Sequence, residues 1–408
     1  MVRATHHERR AFAAALAVLL VHALDDAFVH RGAGVPPTRH LAAGLLAALV
    51  CGLAGAFAGR LRPGLQAALA AALGVPAVVN GAMHAVHAWS YGPEPADVTG
   101  LAALLGGVAL LALAVVVPWR HRRERPASFK VRAAALVLAP LAVVVVLVPV
   151  AVGLVEVHDF RVPVGSPPDA SYASVTFRAT DGLRLSGWYR ASRNGAAVLL
   201  VHGGGGNRVG ALRQARMLAA HGYGVLLYDS RGSGRSEGAR NTWDWGWEKD
   251  AAGALRFLER RGDVHDGRIG ALGLSSGADT LVDLAADHPA LRAVVADGTA
   301  LRTFEDADRE FGAPFTMVTS WLSFATTRVL AGTAPSRPLE DLARRVRAPL
   351  LLISAGRDAE WRLSRRYAAA AGRVARHWNL PDARHTGAVR SHSREYERRV
   401  VAFFDRAL

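Results

Sequence analysis

Cysteine is almost absent from this chain of 408 residues, in which Cys51 is the only one. A single cysteine excludes an intrachain disulfide and a cluster of thiolate metal ligands. Cys51 also lies within an apolar segment, which argues against a role as catalytic nucleophile. Any catalytic chemistry must therefore rest on other side chains.

Lysine is nearly as rare, because only Lys130 and Lys249 occur among 49 basic residues. The net charge of +15 comes almost entirely from arginine, and with the abundant alanine, glycine and valine this composition is typical of a GC-rich bacterial genome. No block of basic residues with interleaved aromatic side chains occurs, so the charge does not indicate a nucleic-acid partner. The length of the chain predicts two parts.

Long apolar stretches are confined to residues 1–156. Five of them approach the ~20 residues that a helix needs to cross a bilayer, which predicts an all-α transmembrane region. We therefore expect an integral membrane protein, with the lipid bilayer as a partner. The five predicted spans are 11–29, 41–59, 65–88, 98–118 and 133–155.

The charges of the connecting loops indicate how these spans are oriented. Basic residues are concentrated before the first span, between the second and third, and between the fourth and fifth, whereas residues 89–100 contain none. Under the positive-inside rule this predicts a cytoplasmic N-terminus in a bacterial plasma membrane, with the C-terminal part outside. Arg31 and Arg39 lie in a predicted outside loop and count against this orientation. The first segment could instead be a signal peptide, although no clear cleavage site follows it.

The pattern changes beyond residue 156. Residues 157–170 contain three prolines and are typical of an extended linker. Two alternating runs around Asp181-Gly182 predict a β-hairpin. Short apolar runs then alternate with helical stretches, which predicts an α/β domain with a doubly wound, mostly parallel sheet over residues 171–408. The predicted buried strands are 198–201, 225–228, 269–272, 293–296 and 350–353.

The most informative short motif is Gly273-Leu274-Ser275-Ser276-Gly277, which follows an apolar strand and precedes a predicted helix. Strand, sharp turn and helix are the setting of a nucleophile elbow, in which the serine hydroxyl is exposed above the sheet. Small residues two positions away on each side let the strand and the helix pass closely. Ser275 is therefore the predicted nucleophile.

A serine nucleophile needs a base and an acid that orients the base. Asp358 follows the strand at 350–353, and His385 precedes the last predicted helix. The order serine, acid, histidine is that of a hydrolase with a nucleophile elbow. Since ligands of open α/β sheets bind at the carboxyl ends of the strands, we expect all three side chains at this edge.

The developing oxyanion needs hydrogen-bond donors. A glycine run follows the strand at 198–201, where the backbone can turn its amides toward a substrate without interference from Cβ atoms. The predicted donors are the backbone N–H groups of Ser276 and of Gly204, with Gly203 as the alternative to Gly204. A phosphate-binding loop is the competing interpretation, but no Gly-Lys-Ser/Thr ending occurs.

Together these motifs resemble the α/β-hydrolase family, particularly its dienelactone-hydrolase-like and prolyl-oligopeptidase-like serine hydrolases. The resemblance covers residues 171–408 and rests on His202-Gly203, the turn from Asp229 to Ser236, the Ser275 elbow, Asp358 and His385-Thr386-Gly387. Ala355 departs from the glycine that family members often have, and Glu360 is then an alternative acid. Asp297 is a second alternative, because some family members place the acid after the sixth strand.

The preferred activity is that of a serine hydrolase of the carboxylesterase or acyl-hydrolase type, acting through an acyl-enzyme on Ser275. This chemistry needs no cofactor, and the predicted substrate is a small acyl or lipid-like molecule. The segment 301–346 between two predicted strands is longer than a simple crossover connection needs, which predicts a small lid. The alternatives are a serine peptidase of the same fold and a catalytically inactive binding or sensing module on a membrane unit.

Ionisable side chains also occur in the predicted spans, where they are costly and indicate a function by default. They lie near the outer ends of the first and third spans, at spacings that place them on one helix face. Imidazole and carboxylate groups can bind zinc, but pairing across helices is the favoured interpretation, and no metal site is predicted. The cluster comprises His22, Asp25, Asp26, His84 and His87.

Overall fold

The structure is a computed structural model that describes residues 5–30, 37–121, 142–157, 161–239, 243–331, 333, 337–357 and 359–408. The chain forms two compact units. The N-terminal unit contains the helices before residue 158 and, in addition, the segment Ala313–Gly332. The second unit contains Arg161–Gly312 and Thr333–Leu408.

The described part of the N-terminal unit consists of helices and the short turns that join them. Its first helix continues directly into a π-helical segment, Asp25–Val29, and a second π-helical segment, Val143–Leu147, precedes its fifth helix. The helices are α1 His6–Leu24, α2 Pro37–Ala58, α3 Pro63–Tyr91, α4 Pro95–Arg120 and α5 Val148–Val157.

Three stretches of this unit are long and apolar enough to cross a membrane, namely His6–Val29, Pro63–Trp89 and Pro95–Arg120. They correspond to the first, third and fourth predicted spans. The second and fifth predictions coincide in part with shorter apolar helices, Gly44–Ala58 and Val145–Val157, so five spans are not confirmed. Residues 133–141 of the fifth prediction lie outside the described residues.

Glycines set the close packing of α3 against α4. A Cβ atom on Gly81 would lie 2.6 Å from the backbone nitrogen of Leu104, and one on Gly107 would lie 2.9 Å from that of Val78. Small residues at such positions let helix backbones approach closely, which is how membrane helices gain van der Waals contact. The helix pair therefore depends on these two positions remaining glycine.

The second unit contains one sheet of eight strands in the order β1-β2-β4-β3-β5-β6-β7-β8. Strands β3 to β8 are parallel, and β2 pairs antiparallel with both β1 and β4. The predicted hairpin and doubly wound sheet are confirmed. The strands are β1 Ala173–Arg178, β2 Arg184–Arg190, β3 Ala197–Val201, β4 Gly224–Tyr228, β5 Ile269–Leu274, β6 Ala293–Asp297, β7 Leu350–Ala355 and β8 Ala375–Leu380.

Helices connect the parallel strands and cover both faces of the sheet with apolar side chains. Because β3 to β7 are buried on both faces, their sequences are continuous apolar runs, as parallel strands require. The remaining helices are α6 Leu212–Ala220, α7 Trp247–Glu259, α8 Ser276–Asp287, α9 Phe304–Phe311, α10 Pro314–Ala331, α11 Leu339–Ala343, α12 Ala359–Ala371, α13 Ala388–Ser391 and α14 Ser393–Ala407.

Helix α10 differs from the sequence-based expectation of a lid over residues 301–346. It belongs to the N-terminal unit, where it packs against α2 and α5. Gly153 of α5 provides the close contact, because a Cβ atom there would lie 2.7 Å from Cβ of Thr326. Helix α10 thus contributes to helix packing in the N-terminal unit.

The start of the predicted linker is held by the α/β unit. Arg161 donates hydrogen bonds to the carbonyl groups of Ser236 and Gly238, and Arg235 donates one to the carbonyl of Val164 at 2.8 Å. The side chain of Val164 is buried in the core. Residues 161–164 are therefore an ordered edge of the α/β unit, which begins before Ser171.

Candidate active site

Ser275 occupies a strained turn between β5 and α8. Its φ of 53° and ψ of −124° are unusual for a residue with a side chain, and only Asp244 and Thr386 share a positive φ among the described residues other than glycine. The Ser275 amide donates to the carbonyl of Asp297 at 2.8 Å, which fixes the turn to the end of β6. This is the geometry of a nucleophile elbow, in which backbone strain presents the hydroxyl group.

The two glycines of the motif are required by contact distances. A Cβ atom on Gly273 would lie 2.2 Å from the carbonyl oxygen of Gly277. One on Gly277 would lie 2.5 Å and 2.6 Å from the carbonyl oxygens of Val201 and His202. The elbow therefore packs against the end of β3, which brings the glycine run beside Ser275.

The loop after β3 is fixed by His202, which is 1% exposed. Its Nε2 accepts a hydrogen bond from the amide of Ser230 at 3.0 Å, so its Nδ1 is the donor to the carbonyl of Gly203 at 2.7 Å. A Cβ atom on Gly203 would lie 3.2 Å from Cβ of Ser275. His202 thus positions the predicted oxyanion loop and does not act as a second base.

The three predicted oxyanion donors lie on the elements that meet at the elbow. Gly203 and Gly204 follow β3, and Ser276 is the first residue of α8. The amides of a helix N-terminus carry a partial positive charge, which favours an anion there. Their role as donors stays a prediction.

His385 pairs with Glu360. The two side chains are joined by a hydrogen bond of 2.6 Å between Nδ1 and Oε2, and the other oxygen of Glu360 accepts from the amide of Ala355 at 2.7 Å. Glu360 thereby connects the end of β7 to the imidazole. Asp358, the predicted acid, lies outside the described residues, and the alternative acid Glu360 has the contact that orients the base.

Asp297, the second alternative acid, has a different partner. Its Oδ2 accepts a hydrogen bond from the hydroxyl of Tyr396 at 3.0 Å, and its side chain is 2% exposed. Burial raises the pKa of Asp297 to about 7, an effect that the bond from Tyr396 opposes. Its backbone carbonyl holds Ser275, so Asp297 supports the elbow.

Gly298 connects the elbow to the histidine. It follows Asp297, has a φ of +81°, and its missing Cβ would lie 2.8 Å from Cε1 of His385. The imidazole therefore packs against the backbone just beyond β6. Ser275, His385 and Glu360 thus lie at one edge of the sheet, near the carboxyl ends of β5, β6 and β7, which is the edge that the sequence predicts for the site.

The charge of Glu360 affects the protonation of the base. The hydrogen bond to Glu360 raises the pKa of His385, and partial burial of the ring opposes this shift. The His385 side chain is 49% exposed, whereas the Glu360 side chain is only 17% exposed. A protonated His385 would therefore face a fixed carboxylate.

Replacing Gly298 with alanine is expected to lower kcat for ester hydrolysis roughly a hundredfold, because a displaced imidazole loses its alignment with the nucleophile. KM should change little, since the methyl group meets the histidine ring. Steady-state kinetics measures both constants. Gly312→Ala is the matched control: its φ is +55°, but its nearest atom would be the Asp308 carbonyl oxygen at 3.7 Å. Equal losses in both variants would contradict the role of Gly298.

Residues 156–401 match the family model of X-Pro dipeptidyl-peptidases (S15 family). This match spans more than half of the chain. The chain belongs to the S15 family. Fold and family are those of serine hydrolases of the α/β type, which confirms the resemblance stated from the motifs.

Individual relatives of this S15 chain are similar over the same region. An uncharacterized protein of Mycobacterium tuberculosis (strain ATCC 25618 / H37Rv) is 34% identical over 218 residues, 52% of this chain and 71% of that protein. The uncharacterized protein YfhR of Escherichia coli K12 is 27% identical over 253 residues, 59% and 84% of the two chains. An esterase of Pyrococcus furiosus has a TM-score of 0.50 at 22% identity, covering 61% of this chain and 97% of its own. This last likeness shows the fold alone.

Two tryptophans near the elbow, Trp245 and Trp247, have structural roles. Trp245 is fully buried and donates from Nε1 to the carbonyl of Arg302 at 3.0 Å. Trp247 is 1% exposed, and its ring meets that of His202 edge to face at 5.0 Å. Both therefore belong to the core beneath the loops of the site.

Proposed function

We propose that this chain is a membrane-anchored serine hydrolase that cleaves an ester or similar acyl bond through an acyl-enzyme on Ser275. The observation that carries this proposal is the strained elbow at Ser275 beside the His385–Glu360 pair. These groups can supply a nucleophile, a general base and an orienting acid. Membership of a family named for a peptidase favours amide cleavage as the second candidate.

In the proposed reaction, Oγ of Ser275 attacks the substrate carbonyl while Nε2 of His385 takes its proton. The oxyanion of the tetrahedral intermediate is stabilised by the backbone amides of Gly203, Gly204 and Ser276. His385 then returns the proton to the leaving oxygen, and the acyl group stays on Ser275. Water, deprotonated by the same histidine, releases the acid and restores the serine.

Glu360 is the proposed acid of the triad in place of Asp358. Because Glu360 accepts from Nδ1 of His385, Nε2 is left to exchange the proton with the serine. A carboxylate in this position stabilises the imidazolium without taking its proton. The amide of Ala355 holds the other oxygen and keeps the carboxylate oriented.

The outer surface of the N-terminal unit supports membrane anchoring. Large apolar side chains project from its helices, including Leu105 at 71% and Val115 at 70% exposure, and monomeric soluble proteins rarely expose such surfaces. Trp89 and Trp119 lie near the last turns of consecutive helices that are joined by a short connection, as expected of aromatic residues at the two interfaces of a bilayer.

The proposed orientation has a cytoplasmic N-terminus and the hydrolase domain outside the bacterial plasma membrane. It rests on the loop charges alone. Protease treatment of intact, wall-stripped cells should then digest the hydrolase domain. Protection in intact cells with digestion in inverted vesicles would contradict this orientation.

We expect the purified full-length protein to react with a fluorophosphonate probe and to hydrolyse p-nitrophenyl esters. Two sets of substrates at equal concentration distinguish ester hydrolysis from amide cleavage. One set consists of p-nitrophenyl esters with acyl chains from acetate to palmitate, and the other consists of X-Pro p-nitroanilides. Higher kcat/KM for the esters supports acyl hydrolysis, and higher kcat/KM for the X-Pro substrates supports peptidase activity. Absence of both probe labelling and hydrolysis would favour a catalytically inactive binding module.

A further inference from the structure

We propose that His22, Asp26 and His84 bind a divalent transition-metal ion of the zinc class inside the N-terminal helical unit. One ligand atom from each of these three residues lies within 4.8 Å of the other two. They come from α1, the π-helical segment after it, and α3. This inference concerns a second site and does not depend on the proposed hydrolase activity.

The distances fit a small coordination sphere. Nε2 of His22 lies 3.4 Å from Oδ2 of Asp26. Two ligands that each lie about 2.0–2.1 Å from a tetrahedral zinc ion are separated by roughly 3.3 Å. His22 and Asp26 are therefore already as far apart as two ligands of one zinc ion. The ligand atom of His84 lies within 4.8 Å of both and would move closer to complete a set of three ligands.

The hydrogen bond at Nδ1 of His84 is of the kind that metal-binding histidines make. Its Nδ1 lies 2.9 Å from Oδ1 of Asp97, and the buried Asp97 also contacts Nδ1 of His87 and the amide of Glu94. A histidine whose Nδ1 donates to a carboxylate binds metal through Nε2, and that carboxylate raises the basicity of the ring. Asp97, fixed by three donors, therefore orients His84 for metal binding.

His22 is oriented in a related way through a hydroxyl group. Thr99 donates from its hydroxyl to Oδ2 of Asp25 at 2.6 Å, so its oxygen can accept from Nδ1 of His22 at 3.2 Å. Nε2 of His22 is then the acceptor, as its 2.6 Å contact with the amide nitrogen of Asn80 also requires. Nε2 of His22, the nitrogen nearest to Asp26, is thus an acceptor, and a bound ion would take the place of the hydrogen bond from Asn80 at this nitrogen.

The charge balance favours a cation at this point. The carboxylates of Asp25, Asp26 and Asp97 each lie beside a histidine of this unit. Ionised carboxylates within a helical membrane unit are costly, and a bound cation would offset part of this cost. Two nitrogen ligands and one carboxylate suit zinc better than magnesium or calcium, which prefer oxygen ligands.

The packing around the site is specific. Gly100 of α4 lies so close to His84 that a Cβ atom there would come within 2.2 Å of the ring. His22 and His84 are each 4% exposed, whereas the Asp26 side chain is 38% exposed and provides a route from solvent. The π-helical segment that contains Asp26 is a distortion that is frequent at functional sites.

The test is metal content of the full-length protein, purified in detergent, loaded with Zn²⁺ and then desalted. We expect about one zinc ion per chain in the wild type and about none in His84→Gln and in Asp26→Asn. His121→Gln is the matched control, because His121 belongs to the same unit and pairs with Glu8 instead. Co²⁺ in place of Zn²⁺ should give the visible absorption of a four-coordinate site in the wild type and in His121→Gln only.

A second measurement keeps the proposal testable should His84→Gln fail to fold. A chelator should lower the melting temperature of the wild type by several degrees and leave that of Asp26→Asn unchanged, because only a bound ion can be removed. The proposal is overturned if the wild type retains no more zinc than Asp26→Asn. It is also overturned if the chelator shifts the melting temperatures of both proteins equally, since the cluster would then be held by hydrogen bonds alone.

Discussion

Ser275→Ala is expected to lower kcat for ester hydrolysis at least about a thousandfold, because it removes the hydroxyl group of the proposed nucleophile. Residual hydrolysis would come from binding and the oxyanion donors. The melting temperature should stay near that of the wild type, since alanine keeps the same strained backbone. Initial rates with a p-nitrophenyl ester and loss of fluorophosphonate labelling measure the effect.

Ser174→Ala is the matched control, because Ser174 is exposed on the edge strand β1. It should retain wild-type rates and labelling. A further variant, Ser275→Gly, removes the same hydroxyl group and also relieves the positive φ, so it should be inactive but more stable by roughly 1 kcal/mol. Full ester hydrolysis by Ser275→Ala would show that the nucleophile lies elsewhere.

Glu360→Gln is expected to reduce kcat/KM by about 10²-fold to 10⁴-fold, because an amide neither fixes the required tautomer nor stabilises the imidazolium. The pH profile should also shift. His385 acts as a base only when neutral, so activity rises with pH through its pKa. Glu360 raises that pKa, and its removal should move the acidic limb of the residual activity to lower pH.

Two controls distinguish this role from a general structural one. Glu397→Gln breaks another glutamate–histidine pair, the 2.8 Å contact with His221, and should leave kcat/KM unchanged. Asp358→Asn should change kcat/KM only a few-fold if Glu360 is the acid. The opposite order, with a large loss in Asp358→Asn and a small one in Glu360→Gln, would assign the acid to Asp358.

The elbow could be predicted from the sequence because its requirements are local. A strand, two small residues and a helix surround Ser275 within a few positions, and the contacts of Gly273 and Gly277 confirm why these residues are needed. The buried parallel strands are similarly local, since burial on both faces produces continuous apolar runs. Strand β8 was not predicted, because only Trp378 and Leu380 are buried in this edge strand.

The acid and the lid could not be settled in this way. Asp358 and Glu360 are two residues apart in the sequence, and no local pattern distinguishes which of the two carboxylates contacts the histidine. Helix α10 is apolar enough for a lid, a core or a membrane unit, and only its tertiary partners distinguish these possibilities. The polar cluster within the predicted spans can be identified from the sequence. The hydrogen bonds of Thr99 to His22 and of Asp97 to His84 can be identified only from the fold.

The insertion of α10 has a consequence for proteolysis. The polypeptide passes between the two units at residues 160–161 and again on both sides of α10. A protease that cuts only before Arg161 would therefore leave the second unit covalently joined to both ends of Ala313–Gly332, a segment that belongs to the N-terminal unit. Covalent separation of the two units requires a cut before Arg161 and a cut on each side of Ala313–Gly332, so no single cleavage separates them.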